Sequence, residues 1–275
     1  MDHKLDLPFT LRIFEDLFRN FESEGYFQEA FGYECVNSGM IRGKLGLDIE
    51  AQVVLKLRKT NLWPIIPNCR NYSEDDLFDV IEFLCDCVSK PVDGWFDDYN
   101  DCGYHATKFD SDAGRLEFRS RVNPLIRDYG SGFELSEDGE ILALPDKGLE
   151  TLMDSQFTSH DPENIDTRVA AATRKFRRRH SSASERKDAV RYLADVLEYM
   201  RASVQTVLTK EDEKALFHIA NQFGIRHHNQ NQRTDYDQEI WLNWMFYFYL
   251  STIHVAVALL KKSEEQSSAS QDLPF

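Results

Sequence analysis

The sequence predicts a mainly α-helical protein, a helical bundle preceded by a mostly helical domain that carries one small β-hairpin. Three observations lead there. Apolar residues recur at helical spacing over most of the 275 residues. Strand alternation concentrates in one stretch, GFELSEDGEILALP, around Glu137-Asp138-Gly139. Beyond residue 150 no strand signal remains and at least four long helical segments follow one another on short connections.

The elements follow in order. Phe9, Ile13, Leu17 and Phe21, flanked by Phe14 and Phe18, mark an amphipathic helix over residues 7–31. A second helix is expected over Ile49–Lys59, ended by Asn61 and Pro64. A third starts at Ser73, whose hydroxyl can cap it while Glu74, Asp75 and Asp76 sit at its positive end, and runs towards Pro91. Residues 93–112, acidic, aromatic and glycine-containing, are expected to form an ordered loop. Arg115–Tyr129 reads as a helix interrupted by Pro124, and the hairpin at 132–144 comes next. A helix followed by a hairpin has the outline of a winged-helix unit or of a plain α+β packing module.

The chain changes character at Pro145–Gly148, giving a domain of 1–147 and a bundle of 148–262. The bundle helices are expected at 150–156 into 163–180, 184–207, 210–223 and 238–262. Thr209 caps the third of these, with Glu211, Asp212 and Glu213 in its first turn and Gly224 closing it. The polar remainder, 263–275, is expected to be a flexible tail.

Composition excludes several classes. With 42% hydrophobic and 12% aromatic residues the chain is neither disordered nor collagen-like. A net charge of −15 excludes coating a polyanion with the whole surface, so any nucleic-acid contact needs a local basic patch. Five cysteines, Cys35, Cys69, Cys85, Cys87 and Cys102, lack CxxC spacing and read as reduced thiols. Together with an N-terminus lacking a signal-peptide layout, they lead us to expect a cytoplasmic protein. Ile240–Leu260 is long enough to cross a bilayer, but Asn243, Tyr247, Ser251 and His254 share one face, which favours a bundle helix over a membrane span. Cys85, Cys87, Cys102 and His105 invite a zinc reading; two cysteines two apart on a helix diverge, so no metal is expected. No phosphate-binding loop, dinucleotide fingerprint or HExxH occurs, and no cofactor is expected.

Two constellations remain. Residues 168–191 hold nine basic against two acidic residues, among them Arg174, Lys175, Arg177, Arg178, Arg179 and His180. They suit a phosphate-bearing partner such as RNA, or a solvated basic face that balances the acidic chain. The second, GIRHHNQNQRTDYD, puts a fixed cation, two proton-exchanging groups and an amide in one turn: Arg226, His227, His228 and Asn229. A histidine can take the proton of a ribose 2′-OH while an arginine stabilises charge building on phosphorus, which cuts RNA without a metal.

On SERKDAVRYLADVLEYMR, FHIANQFGIRHHN and IWLNWMFYFYLSTIHVAVAL the C-terminal half resembles the HEPN superfamily, and within it the abortive-infection C-terminal group of bacterial phage-defence proteins. The resemblance implies an antiparallel HEPN-like bundle, a metal-independent endoribonuclease acting as a toxin, a homodimer forming one cleft, and an antitoxin or regulatory partner. The N-terminal domain would then sense or restrain. Nucleases of the family pair an arginine with a histidine four to six residues later. Arg174 and His180 have that separation, whereas Arg226 has histidines one and two residues on. Arg226 with His227 or His228 is the first choice, Arg174 with His180 the second, and a non-catalytic RNA-, nucleotide- or partner-binding bundle the alternative function.

Overall fold

A computed structural model of the chain describes residues 4–97, 103–154, 158–207, 209, 211, 225 and 237–271. The protein is mainly helical, with small antiparallel hairpins, and divides into two compact units, Met1–Leu144 and Pro145–Phe275.

In the first unit, Asp6 starts α1 (Leu7–Ser23) by accepting the Phe9 amide at 2.9 Å, and Phe14, Phe18 and Phe21 face inward. The helix expected to reach residue 31 stops earlier because Gly25 turns at φ +81°, outside helical space; helix resumes only as α2 (Gln28–Phe31). A hairpin that the sequence did not announce follows, β1 (Gly32–Cys35) with β2 (Gly39–Arg42). Gly32 is obligatory there, since a Cβ would stand 1.9 Å from the Ile41 carbonyl oxygen.

Helix α3 (Ile49–Leu57) is capped by Asp48 and ends on Arg58 in the left-handed region. After the short α4 (Ile65–Asn68), α5 (Glu74–Cys87) opens with a full capping box: the Ser73 hydroxyl accepts the Asp76 amide and the Asp76 carboxylate accepts the Ser73 amide. The stretch expected as a loop forms β3 (Lys90–Asp97) and β4 (Gly103–Asp110) on either side of residues 98–102. The strand residues Val92, Trp95, Phe96, Tyr104 and Thr107 favour extended backbone, but a slip in register between Pro91 and Gly94 erases the period of two that would have disclosed them. Helix α6 (Ser111–Arg127) continues through Pro124, and β5 (Phe133–Leu135) pairs with β6 (Ile141–Ala143). Asn123 ties helix to hairpin, accepting the Leu135 amide at 2.7 Å and donating to its carbonyl at 3.3 Å. An aromatic cluster of Phe18, Phe21, Phe27, Phe31 and Phe118 fills the core between α1 and α6.

In the second unit, α7 (Glu150–Asp154) precedes a π-helical turn (Pro162–Asp166) capped by Asp161, which leads into α8 (Thr167–Arg177). The helix expected to reach residue 180 ends at Arg177 because Arg178 turns extended, at ψ 133°. Then come α9 (Ala183–Tyr199), capped reciprocally by Ser182 and Glu185, the short α10 (Arg201–Val204) and α11 (Gln238–Gln271). The segment after Lys262, expected as a flexible tail, is helical to Gln271; residues 263–271 contain neither glycine nor proline to stop the helix. The helix expected at 210–223 lies outside the described residues apart from Glu211. Helix α9 packs against α8 and α11, and Leu193, Leu197, Met245, Phe246 and Ile253 are buried between them. Gln238–Gln266 has the length and hydropathy of a membrane span, and 44% of its most apolar window is buried within the protein.

Candidate functional site

The basic segment wraps the end of α8, the turn 178–182 and the start of α9. Helix α8 closes as the Arg178 amide donates to the Arg174 carbonyl at 3.1 Å. The Ser181 hydroxyl then donates to the Lys175 carbonyl at 2.9 Å, bending the chain back. Ser182 restarts it: its hydroxyl accepts the Glu185 amide, and the Glu185 carboxylate accepts the Ser182 amide at 2.8 Å, which holds that carboxyl below its usual range. Every backbone turn in the segment therefore has a local cause, and arginines crowd around it because the turn brings both helix ends together.

The cations divide by environment. Lys175 reaches Asp188 at 3.4 Å and lies over the Tyr192 ring at 5.3 Å, so its charge is directed inward. Arg191 pairs with the same carboxylate at 3.1 Å. Arg186 lies 5.4 Å above the ring of Phe176, which itself stacks at 4.0 Å on Phe246; the Arg186 Nε is buried and meets no hydrogen-bond acceptor. Arg178 and His180 are exposed, and Arg174, Arg177 and Arg179 half-buried. A guanidinium held over a core aromatic by packing is fixed in place, leaving its N–H groups to find an acceptor elsewhere.

Arg226, His227, His228 and Asn229 lie outside the described residues. The residue before them, Ile225, is described: it is buried, and its carbonyl oxygen accepts a hydrogen bond from Arg191 Nε at 3.2 Å. Ile225, which precedes Arg226 in the chain, is thereby tied to α9, the helix that carries part of the basic segment. The alternative pair falls on one stretch, with Arg174 in the last turns of α8 and His180 in the turn beyond it.

His254 is half-buried on α11, and burial pushes its imidazole below the usual range, so it is neutral at pH 7. Asn243, on the same helix, donates to Asp146 at 2.5 Å, and burial raises the nearby Tyr247 phenol. Cys85 and Cys87 are buried on α5; burial pushes their thiols to about 11 and about 12, which leaves them protonated. Cys102 lies outside the described residues, and His105 is buried against Tyr33 and Trp95. No group of three or more metal-ligating side chains occurs among the described residues.

Sequence reasoning counted Arg186 and Arg191 among the basic residues without assigning them a role. The apolar period of α8, which places Phe176 inward, and the position of Arg186 at the start of α9 were the available signals. No family model matches the chain, and neither a curated protein nor a solved structure does.

Proposed function

We propose that the chain is a metal-independent endoribonuclease of the HEPN type, cytoplasmic, acting on RNA as the toxic arm of a phage-defence system. The observation that supports this reading is the Arg191–Ile225 hydrogen bond, which ties the residue preceding Arg226 in the chain to α9, the helix that follows the arginine-rich turn. RNA cleavage by this route needs a phosphate held by fixed cations and an imidazole free to accept the 2′-OH proton. Arg177, Arg178, Arg179 and Arg186 supply the first requirement, and His227 or His228 the second. On this reading the second unit is a HEPN-like antiparallel bundle and works as a homodimer. The first unit then senses or restrains, with α6 and the β5–β6 hairpin as its winged-helix-like element and an antitoxin or regulatory protein as its partner. Buried cysteines at Cys35, Cys69, Cys85 and Cys87 that form no disulfide among the described residues suit a reducing compartment.

The test is induced expression of wild type beside Arg226→Ala/His227→Ala/His228→Ala, with circular dichroism of the purified mutant and a gel of total cellular RNA. Growth arrest with RNA fragments ending in 2′,3′-cyclic phosphate from wild type alone supports the reading. Intact RNA under both, with phage present, overturns it. One observation favours a second reading, a non-catalytic RNA-binding bundle: histidines follow Arg226 at one and two residues instead of four to six. RNA binding that weakens with salt and survives the triple substitution would identify that case.

A further inference from the structure

The β3–β4 ribbon closes one of its two edges and leaves the other open. On the outer edge of β4, Gln28 of α2 donates to the Tyr104 carbonyl at 2.7 Å and accepts the Ala106 amide at 2.9 Å, so a side chain completes the ladder there. Residues opposite one another in an antiparallel pair turn their main-chain groups the same way, both towards the partner strand or both away from it. Gly94 and Phe96 face Ala106 and Tyr104, so their amides and carbonyls point away from β4 along the outer edge of β3. The Asp93 carboxylate takes the Gly94 amide at 2.9 Å. Among the described residues no other strand pairs with β3, and no main-chain group of another element bonds Phe96. An edge of this kind is a template for a further strand.

The side chains along it are apolar and stand in solvent, Val92 at 58% exposed, Trp95 at 51% and Phe96 at 59%. Trp95 and Phe96 are consecutive, so they project from opposite faces of the ribbon. Trp95 packs edge-on against His105 with ring centroids 4.3 Å apart. On the face of Phe96, the Tyr104 ring lies over Gly94, where a Cβ would come within 2.7 Å of it. The charge around these rings is of one sign. Residues 90–112 carry six aspartates and two lysines, and both lysines are engaged, Lys90 with Glu117 and Lys108 with Asp93, each at 3.0 Å.

We propose that the outer edge of β3 takes an extended, arginine-rich segment of a partner protein as a third strand. Main-chain hydrogen bonds at Phe96 hold the added strand, and its alternating side chains place guanidinium groups over Trp95 on one face and Phe96 on the other. Arginine suits the site better than lysine because its plane stacks on a ring while its N–H groups reach an aspartate. The acidic surroundings attract a cationic chain and repel a polyanion, so this edge is built for protein and not for RNA. The inference rests on the ribbon alone; neither association of two copies nor action on RNA enters into it.

The full chain is titrated into a fluorescein-labelled peptide of alternating arginine and threonine, the length of β3, and anisotropy is read at physiological salt. The arginine peptide binds and its glutamate counterpart does not, while Trp95→Ser and Phe96→Ser each weaken binding about tenfold with circular dichroism unchanged. Should Trp95→Ser, which loses its contact with His105, disturb the fold, Phe96→Ser carries the test. Strand addition is separated from plain charge attraction by the same peptide N-methylated at every residue, which keeps the guanidinium groups, removes the main-chain donors and is expected to lose binding. An arginine peptide that fails to bind, binds equally well when N-methylated, or is indifferent to Phe96→Ser overturns the proposal. So does weaker binding of a labelled RNA by Phe96→Ser, which would assign the edge to nucleic acid. No ribonuclease activity is read, so cleavage or its absence leaves this outcome untouched.

Discussion

Arg191 Nε donates to the Ile225 carbonyl oxygen at 3.2 Å while its Nη2 holds Asp188 at 3.1 Å, so a single guanidinium clamps a residue 34 positions away to helix α9. The contact of Nη2 with the Asp188 carboxylate fixes the plane of the group, which makes the bond from Nε to Ile225 directional. Ile225 is buried and precedes Arg226 in the sequence, so Arg191 fixes the described residue next to the Arg-His-His segment.

Arg191→Lys therefore keeps the charge and loses the planar fork. The expected result is cleavage lowered by about tenfold, the equivalent of about 1.4 kcal/mol of lost positioning, with RNA affinity and its salt dependence retained. Initial rates on a short RNA alongside binding at several salt concentrations check this. Equal loss of binding and cleavage would show that Arg191 contacts the RNA itself.

The first unit contains a carboxylate whose titration is set by its neighbours. Glu117 accepts the Tyr26 hydroxyl at 2.6 Å and Lys90 at 3.0 Å, and also pairs with Arg121, which in turn grips Glu24 at 2.8 and 2.9 Å. These donors, Tyr26 foremost, lower the carboxyl from 4.5 to about 2. Because the folded value lies below the unfolded one, the contribution to stability is complete above about pH 4.5, fades as pH falls, and is gone below about pH 2. Glu117→Gln is expected to cost about 1–3 kcal/mol at pH 7 and to flatten the acid limb of the stability curve. Urea unfolding at pH 7, 5 and 3 measures both effects, and an unaltered acid limb would rule out this carboxylate as its source.

The elements legible in the sequence are those with strong local signals. Ser73 ahead of three acids announces α5, and Glu137-Asp138-Gly139 between alternating residues announces the β5–β6 hairpin. The β3–β4 pair was hidden because Pro91 and the slip near Gly94 break the alternation, and its acidic residues resemble loop chemistry. The end of α8 was hidden for a different reason: RKFRRRH has good helix formers throughout, and the chain leaves the helix where Ser181 closes on Lys175. Within the candidate site the charge was visible, but the placement of Arg186 over Phe176 and the clamp at Ile225 depend on contacts between distant residues, which spacing does not encode.

Phe176 joins the site to the core. It is 6% exposed, stacks on Phe246 at 4.0 Å with ring planes 10° apart, and has the Arg186 guanidinium 5.4 Å from its ring centroid. Phe176→Ala is expected to cost about 3–5 kcal/mol by opening a cavity. Phe176→Leu keeps most of the volume and removes the ring, so it should cost less stability yet release Arg186. Chemical denaturation of both variants, with RNA affinity measured on Phe176→Leu, tests this; unchanged affinity would show that Arg186 needs no aromatic support.

The cations of the basic turn should differ in their contribution to RNA affinity according to how far solvent, and so a phosphate, reaches them. Lys175 is engaged by Asp188 and Tyr192, whereas Arg178 is exposed. A phosphate contact releases a counterion, so each one lost lowers the slope of log affinity against log salt by about 0.7 for single-stranded RNA. Neutralising Arg177, Arg178 and Arg179 together as glutamines is expected to reduce that slope by up to about 2, with Arg178→Gln accounting for the largest single share. Lys175→Gln should barely change it, because a cation already committed to a carboxylate has no counterion to release. Fluorescence anisotropy with one labelled RNA between low and physiological salt resolves these slopes. If Lys175→Gln and Arg178→Gln shift the slope equally, the ion pair to Asp188 opens when RNA binds, and the whole turn rather than its exposed edge forms the contact.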